Sequence, residues 1–325
     1  MNRIVANIMP HWLFKKLDKS ARLPDIKPSE HPTVFTEDGK SVKWMFLKDT
    51  SCISTPHSFS ESGVPHKIIW DRNDYCLPDH MYTYYEIYKT TGQPTRRYAM
   101  FIEGREIMPA FYSELEQKLD FLKDFDGVFT NQEDLLDSLP NAHFVTGWYP
   151  WYGSPKGGGE RDNALAYLGK TKLISVVSSA KEMCDLHRLR KSVAQKCERE
   201  CIADAYGDFN GGPIVKCAEY LSDYMYHIAI ENQISRGYIT EKITNCFLSM
   251  TVPIYIGAPD VGDYFNPDGI IYISEPTEEK LMEALKQCSP EDYAARKEAV
   301  IDNYNRAKKL LCIEDYMVEN YPELF

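Results

Sequence analysis

The sequence lacks any run of about 18 consecutive apolar residues, so it encodes no membrane-spanning helix. Its start, Met1 to Trp12, also lacks the apolar run of a signal peptide. We therefore expect a cytoplasmic protein with no transmembrane segment. A peripheral position at the inner face of a membrane stays open as an alternative.

The sequence also lacks paired cysteine motifs and an excess of basic charge. Nine cysteines are scattered irregularly over 325 residues, an odd number, and no C-x-x-C pair occurs. This pattern is typical of reduced, mostly buried thiols rather than of a disulfide framework or a zinc site. With 37 basic and 48 acidic residues, the net charge of −11 argues against nucleic-acid binding, which needs a basic surface.

What the sequence does contain is ordinary globular composition, with 43% hydrophobic residues, enough for one large domain or two smaller ones. Short β-branched and aromatic runs alternate with helical stretches, which predicts parallel sheets covered by helices. A segment rich in proline and glycine, 148–159, interrupts this alternation. We therefore predict an α/β protein with two Rossmann-like domains, 1–155 and 156–325, and a central cleft. The last helices could pack back on the first domain.

The most informative segment runs from Ile230 to Ile243, where a predicted strand is followed by a polar loop and the start of a helix. Thr240 is a suitable N-cap, which places Glu241 and Lys242 in the first helical turn. A lysine at the positive end of a helix favours an anion such as phosphate, and a glutamate can accept hydrogen bonds from a ribose diol. The alternative is an ordinary capped helix with two surface charges.

Several motifs from this segment onwards resemble the donor-binding signature of the α-1,3-fucosyltransferase family. They are Asn232, then Gly237-Tyr238-Ile239-Thr240-Glu241-Lys242, then Thr251-Val252-Pro253-Ile254-Tyr255-Ile256-Gly257-Ala258-Pro259, then Phe265-Asn266-Pro267-Asp268-Gly269-Ile270-Ile271. A weaker similarity extends upstream through 186–190 to 210–212. The resemblance implies the two-domain GT-B fold, with GDP-fucose on the C-terminal domain and a glycan acceptor on the N-terminal one.

The resemblance also implies roles for residues of the donor site. Lys242 would bind the diphosphate, Glu241 the ribose and Tyr238 the nucleotide, while Asn232 would contact the phosphate or the sugar. An arginine on the helix after the first strand of this domain would bind the diphosphate as well. Arg188 and Arg190 both fit, and we favour Arg190. Apolar Val193 and Cys197 then follow it at three and seven residues.

An inverting transfer needs a base that deprotonates the acceptor hydroxyl. The family resemblance places a base glutamate near the end of a first-domain strand, where Glu103 and Glu106 are both available. We predict Glu103, with Glu106 as the second candidate.

A metal is not required by this scheme, because fixed cations can neutralise the departing diphosphate. Stimulation by Mg²⁺ or Mn²⁺ stays open. Asp124-Phe125-Asp126 precedes a predicted strand, so we interpret it as a solvated turn rather than a metal motif. The predicted function is α-1,3 fucosyl transfer from GDP-fucose to a GlcNAc or Glc unit of a surface polysaccharide or lipopolysaccharide. The alternatives are a same-fold glycosyltransferase with another nucleotide-sugar, and a non-catalytic sugar-nucleotide-binding protein.

Overall fold

The structure is a computed structural model that describes residues 31, 33–36, 39, 41–49, 58 and 67–325. The expectations for the segment Met1 to Trp12, and for Cys52, lie outside the described residues. The remaining eight cysteines are all free thiols, as predicted, and only Cys76 and Cys201 are exposed.

The first domain contains a sheet whose described strands are all parallel, in the order β2-β1-β3-β4-β5-β6. These strands are β1 (Lys43–Lys48), β2 (Ile68–Asp71), β3 (Asp79–Thr83), β4 (Arg96–Phe101), β5 (Gly127–Thr130) and β6 (Ala142–Phe144). The helices of this domain are α1 (Pro109–Glu116) and α2 (Glu133–Ser138).

The second domain contains a second parallel sheet, in the order β11-β10-β9-β7-β8. Its strands are β7 (Lys172–Val177), β8 (Asp204–Tyr206), β9 (Tyr224–Ile230), β10 (Val252–Ile256) and β11 (Ile271–Tyr272). The strand order reverses between β7 and β9, and open α/β sheets bind ligands at the carboxyl ends of such a pair of strands.

The remaining α-helices surround the second sheet, except for the last of them. They are α3 (Asp185–Glu200), α4 (Cys217–Leu221), α5 (Glu241–Leu248), α6 (Val261–Tyr264), α7 (Glu278–Leu285), α8 (Pro290–Ala295), α9 (Lys297–Ala307) and α10 (Ile313–Asn320). Helix α10 packs on the first sheet, where Ile313 and Met317 join the core of Met45, Trp70 and Phe129. None of the described helices combines the length and apolarity that a membrane crossing requires.

Most elements fall where the sequence predicts them, and the differences have local causes. The apolar run 98–103 predicts a strand, but the strand ends at Phe101, because the hydroxyl of Tyr84 accepts the N–H groups of Ile102 and Glu103 in place of a neighbouring strand. The sequence from Pro109 to about Leu122 predicts one helix, but the helix stops at Glu116 and a separate 3₁₀ turn follows at Leu119–Asp124.

The glycine-rich segment between the sheets is a closely packed, hydrogen-bonded loop. The N–H of Gly157 donates to Ser154 Oγ at 3.0 Å, and its carbonyl accepts the N–H of Ala218 at 3.0 Å. A Cβ on Gly157 would lie 2.0 Å from the carbonyl oxygen of Trp151. The sheets end and begin on either side of this folded segment, at 144 and 172, while the exact domain boundary at 155/156 stays a prediction.

Candidate active site

A cavity of about 660 Å³ lies between the two domains, at the carboxyl ends of β4 from the first sheet and of β7 and β9 from the second. The described residues that line it include most of the predicted site. They are Glu103, Arg190, Asn232, Tyr238, Glu241 and Lys242. The fold therefore brings together side chains that are up to 139 positions apart in sequence.

Arg190 enters the cavity from α3 and is fixed by the end of β9. Its Nη2 donates to Asn232 Oδ1 at 2.8 Å and to the carbonyl oxygen of Glu231 at 3.3 Å, while its buried Nε has no hydrogen-bond partner. Burial lowers the pKa of Arg190, which the carboxylates of Glu231 and Glu241 only partly offset. A buried guanidinium with an unused donor is well suited to an anionic ligand.

His187 completes this corner of the cavity. Its Nε2 lies 2.9 Å from Asn232 Oδ1, and its Nδ1 accepts the N–H of Met183 at 3.3 Å. Because an amide oxygen can only accept, the proton must be on Nε2. Burial, followed by the neighbouring charge of Arg190, lowers the pKa of His187. The imidazole is therefore neutral at pH 7 and serves to orient Asn232.

Helix α5 begins at the cavity, and a buried carboxylate fixes its first turn. Thr240 is the N-cap, as predicted, and accepts from the N–H of Lys242. Glu231 is fully buried, and it accepts the N–H of Thr240 at 3.0 Å and its hydroxyl at 2.6 Å. Ile243 and Phe247 are four residues apart, a spacing that predicts one buried helix face, and both are buried in the core.

Lys242 is the second cation of the cavity, and its side chain is 19% exposed. Its Nζ lies 3.2 Å from Glu241 Oε1 and 3.5 Å from Glu231 Oε2. Burial alone would lower the pKa of Lys242, but these two carboxylates outweigh it and raise the pKa. The ammonium is therefore fully charged at the positive end of α5, next to a partly exposed Glu241.

Glu103 faces these cations from the first domain, just beyond the end of β4. Its main chain is held by two tyrosines, since its N–H donates to Tyr84 Oη at 2.7 Å and its carbonyl accepts the hydroxyl of Tyr112 at 2.7 Å. Tyr84 holds this contact with a φ of +45°, a left-handed conformation that is costly for a tyrosine and is typical of functional sites. A carboxylate in a cleft on a main chain fixed in this way has the position that a general base requires.

Two predicted residues lie outside this cavity. Arg188 is on the exposed face of α3, where it pairs with Asp185 and donates to the carbonyl oxygen of Glu182, so the geometry places Arg190 and not Arg188 at the site. Glu106 is exposed and is absent from the cavity lining, although its N–H donates to Gln233 Oε1 at 3.4 Å. Of the two glutamates considered as a base, only Glu103 faces the cations.

The sequence reasoning missed Tyr84, Tyr112, His187 and Glu231. Only Glu231 carried a usable signal, because it follows a buried strand and precedes Asn232 in the motif. The sequence places four aromatic residues near the domain boundary, Trp148, Tyr149, Trp151 and Tyr152, which either form a platform for an acceptor sugar or pack in the core. Trp148 and Tyr152 are buried in the core, whereas Tyr149 and Trp151 line the cavity. In the described part of the chain no cluster of three or more His, Cys, Asp or Glu side chains is arranged to hold a metal ion.

Two parallel α/β domains that face each other across a cationic cleft define the GT-B class of fold. Residues 168–297 match the family model described as glycosyltransferase family 10 (fucosyltransferase), C-terminal. The second domain is therefore similar to the C-terminal domain of glycosyltransferase family 10.

Curated relatives match over shorter or more divergent segments. An α-(1,3)-fucosyltransferase of Helicobacter pylori is 40% identical over 57 residues, which cover 18% of this chain and 12% of the relative. A 3-galactosyl-N-acetylglucosaminide 4-α-L-fucosyltransferase of Bos taurus is 27% identical over 180 residues, or 54% of this chain and 47% of the relative. The chain therefore spans less than half of the length of these relatives.

Among solved structures, an α1,3-fucosyltransferase with GDP-fucose aligns with 93% of this chain and 95% of its own chain, at 16% identity and a TM-score of 0.49.

Proposed function

We propose that this chain is an inverting fucosyltransferase that moves fucose from GDP-fucose to a hydroxyl group of a glycan. One observation carries the proposal. A single cavity holds Arg190 and Lys242 of the second domain and the carboxylate of Glu103 of the first, whose main chain is fixed by two tyrosines. The family model of the second domain, whose description names fucosyltransferases, supports fucose as the sugar.

In this proposal the cations bind the diphosphate and the carboxylate activates the acceptor. Glu103 takes the proton of the acceptor hydroxyl while that oxygen forms a bond to the anomeric carbon. The bond from this carbon to the diphosphate oxygen breaks on the opposite face, so the configuration inverts. The sugar passes through an oxocarbenium-like transition state, as in glycoside hydrolysis. Arg190, Lys242 and the first turn of α5 stabilise the negative charge that develops on the departing GDP.

The acceptor we propose is a GlcNAc or Glc unit of a surface polysaccharide or lipopolysaccharide, joined through an α-1,3 linkage. Tyr149 and Trp151 line the cavity and offer apolar faces on which a sugar ring can stack. Since the side chains supply the positive charge, we expect turnover to persist in EDTA. Added Mg²⁺ or Mn²⁺ should at most stimulate it.

The first experiment is a thermal-shift panel of GDP, GDP-fucose, GDP-mannose, UDP-sugars and CMP-sialic acid. A ligand at 100 times its Kd adds about 2.7 kcal/mol to the free energy of unfolding. At about 2–4 °C per kcal/mol, this amounts to a rise in Tm of roughly 5–10 °C. Stabilisation by GDP and GDP-fucose alone supports the proposal, whereas selective stabilisation by another nucleotide-sugar would rule out fucose as the donor sugar.

Two matched pairs of variants then test the site. Arg190→Ala should weaken GDP binding at least tenfold, while Arg188→Ala, on the exposed face of the same helix, should leave it unchanged. Glu103→Gln should abolish transfer with GDP binding retained, and Glu106→Gln should retain transfer. Full turnover in Glu103→Gln would remove this residue from the mechanism. If wild-type protein binds GDP-fucose but transfers fucose to no acceptor offered, the non-catalytic alternative gains support.

A further inference from the structure

The loop 237–240 connects the two domains at the cavity. The N–H of Gly237 donates to the Asp260 carboxylate of the second domain at 3.0 Å. The next two residues contact the first domain. The hydroxyl of Tyr238 donates to Glu103 Oε1 at 2.6 Å, and the carbonyl of Ile239 accepts the hydroxyl of Thr146 at 2.9 Å. Thr240 then returns to the second domain. The loop that precedes α5 therefore also contacts Glu103, the proposed base.

The two oxygens of the Glu103 carboxylate have different surroundings. Oε1 accepts two hydrogen bonds, from the N–H of Gly104 at 2.9 Å and from the hydroxyl of Tyr238 at 2.6 Å. No described residue donates to Oε2. Since Oε1 is occupied by two donors, Oε2 is the oxygen left to receive a proton.

The Tyr238 phenol is the donor in its contact with Glu103. It is 1% exposed, and burial, followed by the charge of Glu103, raises its pKa well above the ordinary value. The hydroxyl is therefore protonated at neutral pH, and its single hydrogen points to Glu103 Oε1.

We infer that Tyr238 is a positioning residue for the base. It fixes Oε1 of Glu103, directs Oε2 towards the acceptor and ties the base to the first turn of α5. This inference rests on the proposed function and assigns the Tyr238 hydroxyl a role beyond the one that the family resemblance implies.

The test is Tyr238→Phe, which removes one oxygen and keeps the ring. We expect kcat to fall about 10- to 100-fold, as for other lost hydrogen bonds to a charged group, while the Kd for GDP changes less than twofold.

Tyr226→Phe is the matched control. Tyr226 is also fully buried in the second domain and donates to a carboxylate, Asp292 Oδ2, at 2.7 Å, but it does not line the cavity. A similar loss of kcat in both variants would reduce Tyr238 to a structural role and overturn the inference. A tenfold weaker GDP affinity with unchanged kcat in Tyr238→Phe would overturn it as well.

These failures are distinguishable from failure of the proposed function. If wild-type protein transfers no sugar from any donor of the panel, both the function and the role of Tyr238 fall together. If wild-type protein turns over and Tyr238→Phe does so equally fast at every pH, only the inference fails.

Discussion

Replacing Glu231 should separate the stability of the donor site from its affinity for nucleotide. Glu231 is 0% exposed and accepts from the N–H and hydroxyl of Thr240, with Lys242 Nζ at 3.5 Å. Glu241 is its natural comparison, because it is also a carboxylate next to Lys242, at 3.2 Å, but its side chain is 21% exposed.

The expected loss of unfolding free energy in Glu231→Ala follows from these contacts. Removal of one partner of a buried ion pair costs about 3–5 kcal/mol, because the other charge stays buried. Because Lys242 keeps Glu241 as a partner, we reduce this cost to about 2–4 kcal/mol for Glu231→Ala. This corresponds to a decrease in Tm of roughly 4–16 °C. A partly exposed pair contributes only about 0–1 kcal/mol, so Glu241→Ala should unfold within about 4 °C of wild type.

The assay is urea-induced unfolding of both variants, together with GDP titration below their transitions. We expect Glu231→Ala to lose stability and Glu241→Ala to lose GDP affinity with its stability intact. Equal stability of the two variants, or a loss below about 1 kcal/mol in Glu231→Ala, would refute the argument that a buried carboxylate holds the first turn of α5.

Three further changes have definite expected outcomes. Burial lowers the pKa of His227 to about 3, so between pH 7.5 and 5 the unfolded chain takes up a proton that the folded chain does not. Wild type should therefore lose ~2 kcal/mol of unfolding free energy over this range, and urea titrations of His227→Gln should show no such loss. Burial also lowers the pKa of Lys170 to about 7, so between pH 7 and 9 the folded chain releases a proton that the unfolded chain keeps. Wild type should therefore gain ~2 kcal/mol of unfolding free energy over this range, whereas the stability of Lys170→Met should stay constant in the same assay. Gly237 has φ +70° and a Cβ there would lie 2.7 Å from Phe144 Cε2, so Gly237→Ala should cost about 1–3 kcal/mol and lower kcat. Gly211→Ala, at φ +86° in open space, is its control, and an equal loss of kcat there would contradict the role of the 237–240 loop.

The second domain could be predicted closely because its information is local. Strand β10 occupies 252–256, and α5 begins directly after the expected N-cap Thr240. The choice of Arg190 over Arg188 followed from the helical spacing of Val193 and Cys197, which are both fully buried. Where a side chain's role depends on one helix face or one strand end, periodicity is sufficient to place it.

The first domain could be predicted only in part because its contacts are distant in sequence. Strand β3, Asp79–Thr83, was missed, since its residues Asp-His-Met-Tyr-Thr are all buried and show no alternation of polar and apolar positions. The residues that hold Glu103 in place could not be predicted either. Tyr84 lies 19 positions before it and Tyr238 lies 135 positions after it, and no pattern in a single sequence relates them.

The contacts between the domains indicate that the site is assembled before a donor arrives. Asn131 Nδ2 bonds the carbonyl of Ile102 at 2.9 Å and Thr146 Oγ1 at 3.2 Å, and Thr146 in turn donates to the carbonyl of Ile239. The Thr146 side chain is buried, so a rotation of one domain against the other would separate its hydroxyl from Ile239, at a cost of about 1–3 kcal/mol. This series of hydrogen bonds joins the end of β4, next to the base, to the loop that precedes α5. The distance between the base and the cations is therefore set by the folded chain itself, and this is the condition under which fixed charges stabilise a transition state without reorganising.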